Sequence, residues 1–179
     1  KSDPIQDWDI MDGGTLMVRL IFGLTPSIFH LAHVSADFYL AASRWEPFGI
    51  MVLEAHSSKL PVIGSKVGGI KETILDIREN PDLGTGLLIP SGEKDTLVET
   101  ILDMVKMIEI AEVEQFKPGN TKMLIEEIKQ PKLREIVRRN PGIYYKIREN
   151  ALKRIEESFR WKDVARKELN IIKKVLEKQ

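Results

Sequence analysis

Glu46 and Glu54 bracket the run EPFGIMVLE, two carboxylates separated by seven residues. A carboxylate accepts two hydrogen bonds from neighbouring hydroxyls, which suits a ribose or a sugar ring. Between the two lies a Pro-Phe-Gly turn that opens an apolar helix, with Glu46 just before the turn and Glu54 about one and a half turns into the helix. A helix N-terminus carries unpaired N–H groups and about half a positive charge, so it receives phosphate. Gly49 has no side chain and lets a ligand come close to the backbone. One carboxylate at the turn and one on the helix can therefore hold two hydroxyl groups of one extended ligand.

A second turn repeats the device. Gly68-Gly69 is expected to free backbone amides at the start of a helix over 70–77, with the Thr73 hydroxyl in its first turn. Taken alone, a glycine pair there is an ordinary strand-to-helix turn. Beside EPFGIMVLE it suggests two helix N-termini aimed at one crevice, an arrangement that favours a diphosphate.

The elements that must position these turns are short. Apolar runs at 16–22, 38–42, 61–64 and 86–89 read as strands without polar alternation, the pattern of a parallel sheet covered on both faces. Helices are expected at 28–34, 48–57, 70–77 and 95–111. Thr25 caps the first and Pro26 begins it. In the 95–111 helix, Leu97, Ile101, Met104, Val105 and Ile108 share a face. The order strand, helix, four times over, places both glycine turns at the carboxyl ends of strands, where such sheets bind ligands. Residues 1–15 read as a polar tail or loop. Residues 112–140 read as an insertion with two short helices, to which no function is assigned. A long helix follows Pro141, with Ile143, Ile147, Ala151 and Ile155 inward. In a last helix Asp163 is the expected cap, with Ala165, Leu169, Ile172 and Leu176 inward, and Trp161 is the expected core anchor between the two. The whole is expected to form a single α/β domain over 1–179, with 141–179 as C-terminal helices.

Composition sets the remaining bounds. Twenty-seven basic and 27 acidic residues cancel, but residues 1–100 hold 8 Lys/Arg against 14 Asp/Glu, and residues 146–179 hold 11 against 6. The basic signs of the tail alternate with acidic ones along a helix, so a solvated face is expected in place of nucleic acid or membrane. The absence of cysteine excludes a disulfide scaffold and a thiolate zinc site. The N-terminus is not a signal peptide and no run approaches the length of a membrane span, so a cytoplasmic location is expected. Thirty per cent charged residues and no cysteine would suit a thermophile.

SRWEPFGIMVLEA, then PVIGSKVGGIKETILD, then TGLLIPSG, resemble the donor-binding domain of retaining glycosyltransferases of the GT-B fold, in the glycogen and starch synthase branch. FRWKDVA at 159–165 is similar to that family's Phe-Ser-Trp-x-x-x-Ala. The resemblance implies a Rossmann-like α/β domain with a parallel sheet, incomplete at its N-terminus, and extra C-terminal helices. It implies that Glu46 contacts the donor sugar at the reacting centre, that the backbone of Phe48, Gly49 and Ile50 holds sugar hydroxyls and phosphate, and that Glu54 binds the ribose hydroxyls. Gly68, Gly69 and Thr73 would border the diphosphate. The implied reaction is transfer of glucose from UDP-glucose or ADP-glucose to an α-glucan, with retention, no metal and no cofactor. The acceptor domain and the Arg/Lys loops that neutralise the donor phosphates have no counterpart here, and Arg19 falls inside a strand. No synthase activity is therefore expected of this chain alone. Other readings are a non-catalytic nucleotide-sugar-binding module, or another GT-B enzyme such as a sucrose- or trehalose-type synthase. A glucan phosphorylase would need a lysine for pyridoxal phosphate, and no such motif stands out.

Other residues are read as structural. Asp7-Trp8-Asp9 spells the metal motif of a different glycosyltransferase fold, but in a polar stretch with no preceding strand. His30 and His33 lack a third ligand nearby and are read as packing, as is His56. Arg44 reads as solvated. Trp45 either lines the crevice or plugs the sheet edge.

Overall fold

A computed structural model describes residues 8–12, 16–20 and 25–177. The chain divides into two compact units, residues 1–35 and 36–179.

In the first unit, β1 (Trp8–Asp12) and β2 (Leu16–Leu20) pair antiparallel, with Trp8 opposite Leu20 and Asp12 opposite Leu16. This corrects two expectations. Residues 8–12 form a strand, not a tail, and residues 16–20 pair antiparallel with it instead of joining the parallel sheet. A partner close in sequence is reached at lower loop-closure cost than a distant parallel one. Phe22, Gly13, Gly14 and Asp7 lie outside the described residues. The helix α1 (Pro26–Ser35) begins at its proline as expected. The Thr25 carbonyl accepts from Phe29 N at 2.9 Å, and its hydroxyl oxygen lies 3.5 Å from Ile28 N.

The second unit holds the parallel sheet, in the order β3 (Tyr39–Ala41), β4 (Val62–Ser65), β5 (Gly86–Ile89). Tyr39 stands beside Val62, and Val62 beside Gly86. Successive side chains of a strand point to opposite faces, and the core divides accordingly. Val62 and Ala41 pack with Val52 and Ala55 of α2 (Ile50–Ser57) and with Ile70 of α3 (Ile70–Thr73). Ile63, Leu87 and Ile89 pack on the other face with Met104, Met107 and Ile110 of α4 (Lys94–Phe116). That cluster also takes Ile125 of α5 (Lys122–Glu126), Leu133 and Val137 of α6 (Pro131–Arg139), and Ile143, Tyr144 and Ile147 of α7 (Ile143–Ser158).

Further expectations are corrected here. The α3 helix stops at Thr73, and Ile74 is extended. Beyond it the chain runs along β5: Leu75 O accepts from Thr85 N, Ile77 N donates to Gly86 O, and Asp76 bridges to Gly86. In α4 the expected face holds at Leu97, Ile101, Met104 and Ile108, which pack in or against the core, while Val105 is exposed and Met107 and Ile110 are buried in its place. The last helix, α8 (Trp161–Leu176), has Arg160 as its N-cap, and Asp163 falls in the first turn. No residue of α8 is buried. Trp161 is 86% exposed, and Leu169, Ile172 and Leu176 are exposed too. Trp161 therefore anchors no core.

Candidate functional site

Strands β3 and β4 are parallel neighbours, so the turns that follow them emerge side by side. Gly49 is the N-cap of α2 with φ +85° and ψ 47°, a left-handed conformation that favours glycine. Its N–H donates to Glu46 Oε1 at 3.1 Å. The Glu46 carboxylate thus closes its own turn through Oε1 alone. Gly69 N–H donates to the Glu46 carbonyl at 3.0 Å. The turns are packed backbone on backbone. A Cβ at Gly68 would collide with the Glu46 carbonyl oxygen, and one at Gly69 with Phe48 Cα and O.

Along the carboxyl end of β3 runs an open groove of about 280 Å³, with Tyr39, Ser43, Glu46, Gly49, Met51 and Ile70 among its lining residues. Ile50 and Met51 precede the first bond of α2, which runs from Val52 N to Gly49 O, so their amides have no acceptor within the helix. Glu46 is half-buried. Glu54 is exposed and does not line the groove. Both carboxylates nonetheless act on one group: burial, then Glu54, then Glu46 push the Tyr39 phenol above its usual range. Phe48 and Ile50 are exposed beside the groove.

The second turn differs from its sequence reading. The Gly69 amide is taken by Glu46 and is not free. Thr73 is buried, and its hydroxyl donates to the Ile70 carbonyl at 3.0 Å, so it serves its own helix turn and not the groove. Gly68 is exposed at φ +41°. With α3 only four residues long, the field at its start is that of a single turn.

Three residues that the sequence did not single out belong to this neighbourhood. Tyr39 carries no motif signal. Arg154 of α7 donates from Nε to Thr73 O at 2.8 Å and from Nη2 to Glu72 O at 2.6 Å. Phe159 meets Phe48 edge-on, with ring centroids 6.4 Å apart. Its place in FRWKDVA was the available signal. Trp45 is exposed and is not among the groove's lining residues. His56 is fully buried, as its packing role requires, with neither ring nitrogen in a hydrogen bond of normal geometry. Burial and then the Arg154 charge lower its pKa to about 4, against a smaller opposing effect of the Thr85 backbone. Buried His33 packs edge-on to Phe29. No cluster of metal-ligating side chains is found among the described residues, and no helix there is long and apolar enough to cross a membrane.

Comparison with known proteins places these turns in a wider set. Residues 17–122 match the family described as glycosyl transferases group 1. A probable glycogen synthase of Methanocaldococcus jannaschii is 31% identical over 83 residues, covering 43% of this chain and 16% of that protein. A sucrose synthase of Denitrovibrio acetiphilus is 25% identical over 153 residues, covering 84% of this chain and 15% of the relative. Among solved structures, sucrose-phosphate synthase from Thermosynechococcus elongatus superimposes with a TM-score of 0.52 at 20% identity, over 83% of this chain and 28% of that one. That match is one of fold, the GT-B glycosyltransferase fold. The curated relatives are thus matched over about a sixth of their length.

Proposed function

Because the chain belongs to the glycosyl transferases group 1 family, we propose that its glycine-turn groove is the donor side of a retaining hexosyltransferase, moving glucose from UDP-glucose or ADP-glucose to an α-glucan. The observation that carries this reading is the Gly69 N–H to Glu46 carbonyl bond. It joins the ends of two parallel strands into one wall, so that a ligand meeting one turn meets the other.

In this reading the Glu46 carboxylate and the first amides of α2 receive sugar hydroxyls and phosphate. Glu54, exposed on the next turns of the helix, holds the ribose hydroxyls. Preorganised backbone dipoles stabilise the charge that develops on the departing nucleotide. Glu46 acts as a hydrogen-bonding partner of the sugar, and Glu46 and Glu54 do not form a hydrolytic acid/base pair. The Thr73 hydroxyl has no part in it, and Gly69 contributes through its close packing alone.

A second reading is a sucrose-synthase-type transferase, favoured by the relative of that name aligning over 153 residues. It shares the donor groove and differs in acceptor. A binding module without transfer would keep the same groove.

Calorimetric titration of UDP-glucose, ADP-glucose and the free nucleotides into the chain tests the shared claim. Saturable binding is expected, weakened at least about tenfold in Glu54→Ala, the scale of one or two lost hydrogen bonds to a charged group. Donor binding that is unchanged in Glu54→Ala would overturn the assignment.

A further inference from the structure

We infer that Arg154 and Phe159, at the end of α7, are positioning residues that brace both turns of the groove from behind. The inference rests on the donor reading for its functional meaning, but the contacts stand independently of it. Arg154 bonds the last two carbonyls of α3, those of Glu72 and Thr73. Its guanidinium lies over the Phe159 ring, 5.5 Å from the centroid. Phe159 in turn meets the Phe48 ring edge-on at an interplanar angle of 71°. Phe48 belongs to the first turn, and its backbone lies directly against Gly69. Gly69 opens α3 and donates to Glu46. The contacts therefore close a ring: first turn, Phe159, Arg154, α3, second turn, and back to the first.

The need for a brace follows from helix physics. Four residues cannot recover the cost of helix nucleation, so α3 persists only through contacts from outside. One end is held by the Glu46 carbonyl and the other by Arg154, a cation well placed on the terminal carbonyls of a helix. Arg154 forms no salt bridge among the described residues. Its charge is met by carbonyls and a ring face, an arrangement that fixes direction as well as proximity. Phe48 is half exposed, so without Phe159 its ring has little to fix it, and Gly49, the next residue, loses the same support.

Amide hydrogen exchange on the full chain tests this at two reporters, Gly49 N–H and Gly69 N–H, with the amides of α4 as the reference for global opening. In Phe159→Leu both reporters are expected to exchange up to about tenfold faster than the α4 reference accounts for, the scale of one aromatic pair. Phe159→Tyr, which keeps the ring, is expected to restore wild-type rates. Reporters that stay unchanged, or that accelerate only in step with α4, would overturn the brace. Titrating UDP-glucose and ADP-glucose into the same samples separates the two claims. Locally faster exchange in a chain that binds neither donor sustains the brace and defeats the donor reading. Donor binding with unperturbed reporters does the reverse.

Discussion

Two sets of carboxylates in the α/β unit stand in contrast. Asp76 and Asp103 are buried and fully engaged. Asp76 accepts from Arg78 N, from the Arg78 guanidinium and from Leu88 N. Asp103 accepts from Lys129 N and Gln130 N at 2.7 and 3.0 Å. Arg78 extends the network to Gln130 and to the Leu88 carbonyl. These groups tie the 74–88 segment and α6 to the sheet. Glu46 and Glu54 are different: one accepts a single local bond and the other is exposed. Carboxylates that hold a fold are saturated by its own donors. Carboxylates proposed to hold a ligand are left with capacity: Glu46 at the turn after β3, beside the first amides of α2, and Glu54 exposed on that helix. The unit's stability and its proposed function are therefore carried by separate acids.

That separation can be broken by substitution. Asp76→Ala removes the buried partner of a half-buried cation and leaves Arg78 with only Gln130 and the Leu88 carbonyl, so urea unfolding should show a loss of about 3 kcal/mol. Glu54→Ala should stay within about 0.5 kcal/mol of wild type in the same assay, as an exposed site does. A large stability cost at Glu54 would merge the two classes.

Acid sharpens the comparison. His56 is neutral in the fold, with its pKa lowered to about 4 from 6.5. Below pH 6.5 the unfolded chain takes up a proton that the native state refuses. Stability from this site is complete above about pH 6.5 and falls as pH drops toward 4, by up to about 3 kcal/mol. Asp76 acts in the same direction at lower pH. Burial, its largest single influence, raises the Asp76 pKa, but the hydrogen bonds from Arg78 and Leu88 and the Arg78 charge together outweigh it and hold the pKa below its usual range, so its contribution is lost as pH falls through that lowered value. His56→Met should flatten the stability profile between pH 6.5 and 4, and a slope preserved in that variant would refute the assignment.

A smaller effect concerns Lys59, the described non-glycine residue with positive φ, at 59°. It pairs with Glu149 across 2.8 Å at the surface. The left-handed conformation costs about 1 kcal/mol or more, and an exposed ion pair returns at most about 1 kcal/mol. Lys59→Gly should therefore raise stability slightly, by up to about 1 kcal/mol, as read from the unfolding midpoint. Destabilisation would mean that the pair with α7 outweighs the backbone strain.

Much of the sheet was legible. The apolar runs at 38–42, 61–64 and 86–89 became β3, β4 and β5, and Gly49 took the conformation that its turn requires. What escaped the sequence depended on distant partners. The segment 74–77 continues the apolar pattern of α3, yet Thr85 and Gly86 draw its backbone into the sheet. Residues 8–12 look polar until β2 pairs with them. Phe48 and Phe159 are more than a hundred residues apart, so no local period could show that they meet. In α8, an apolar stripe at helical spacing implied burial, and none of it is buried. Periodicity states which face is apolar, not whether anything covers it.

The central claim is that the two glycine turns form one wall for one ligand. Chemical-shift titration with UDP-glucose or ADP-glucose addresses it directly, by following the amides of Gly49 and Gly69. The account expects both resonances to move together along a single binding curve. Movement of one without the other, or of neither during saturable binding, would contradict it.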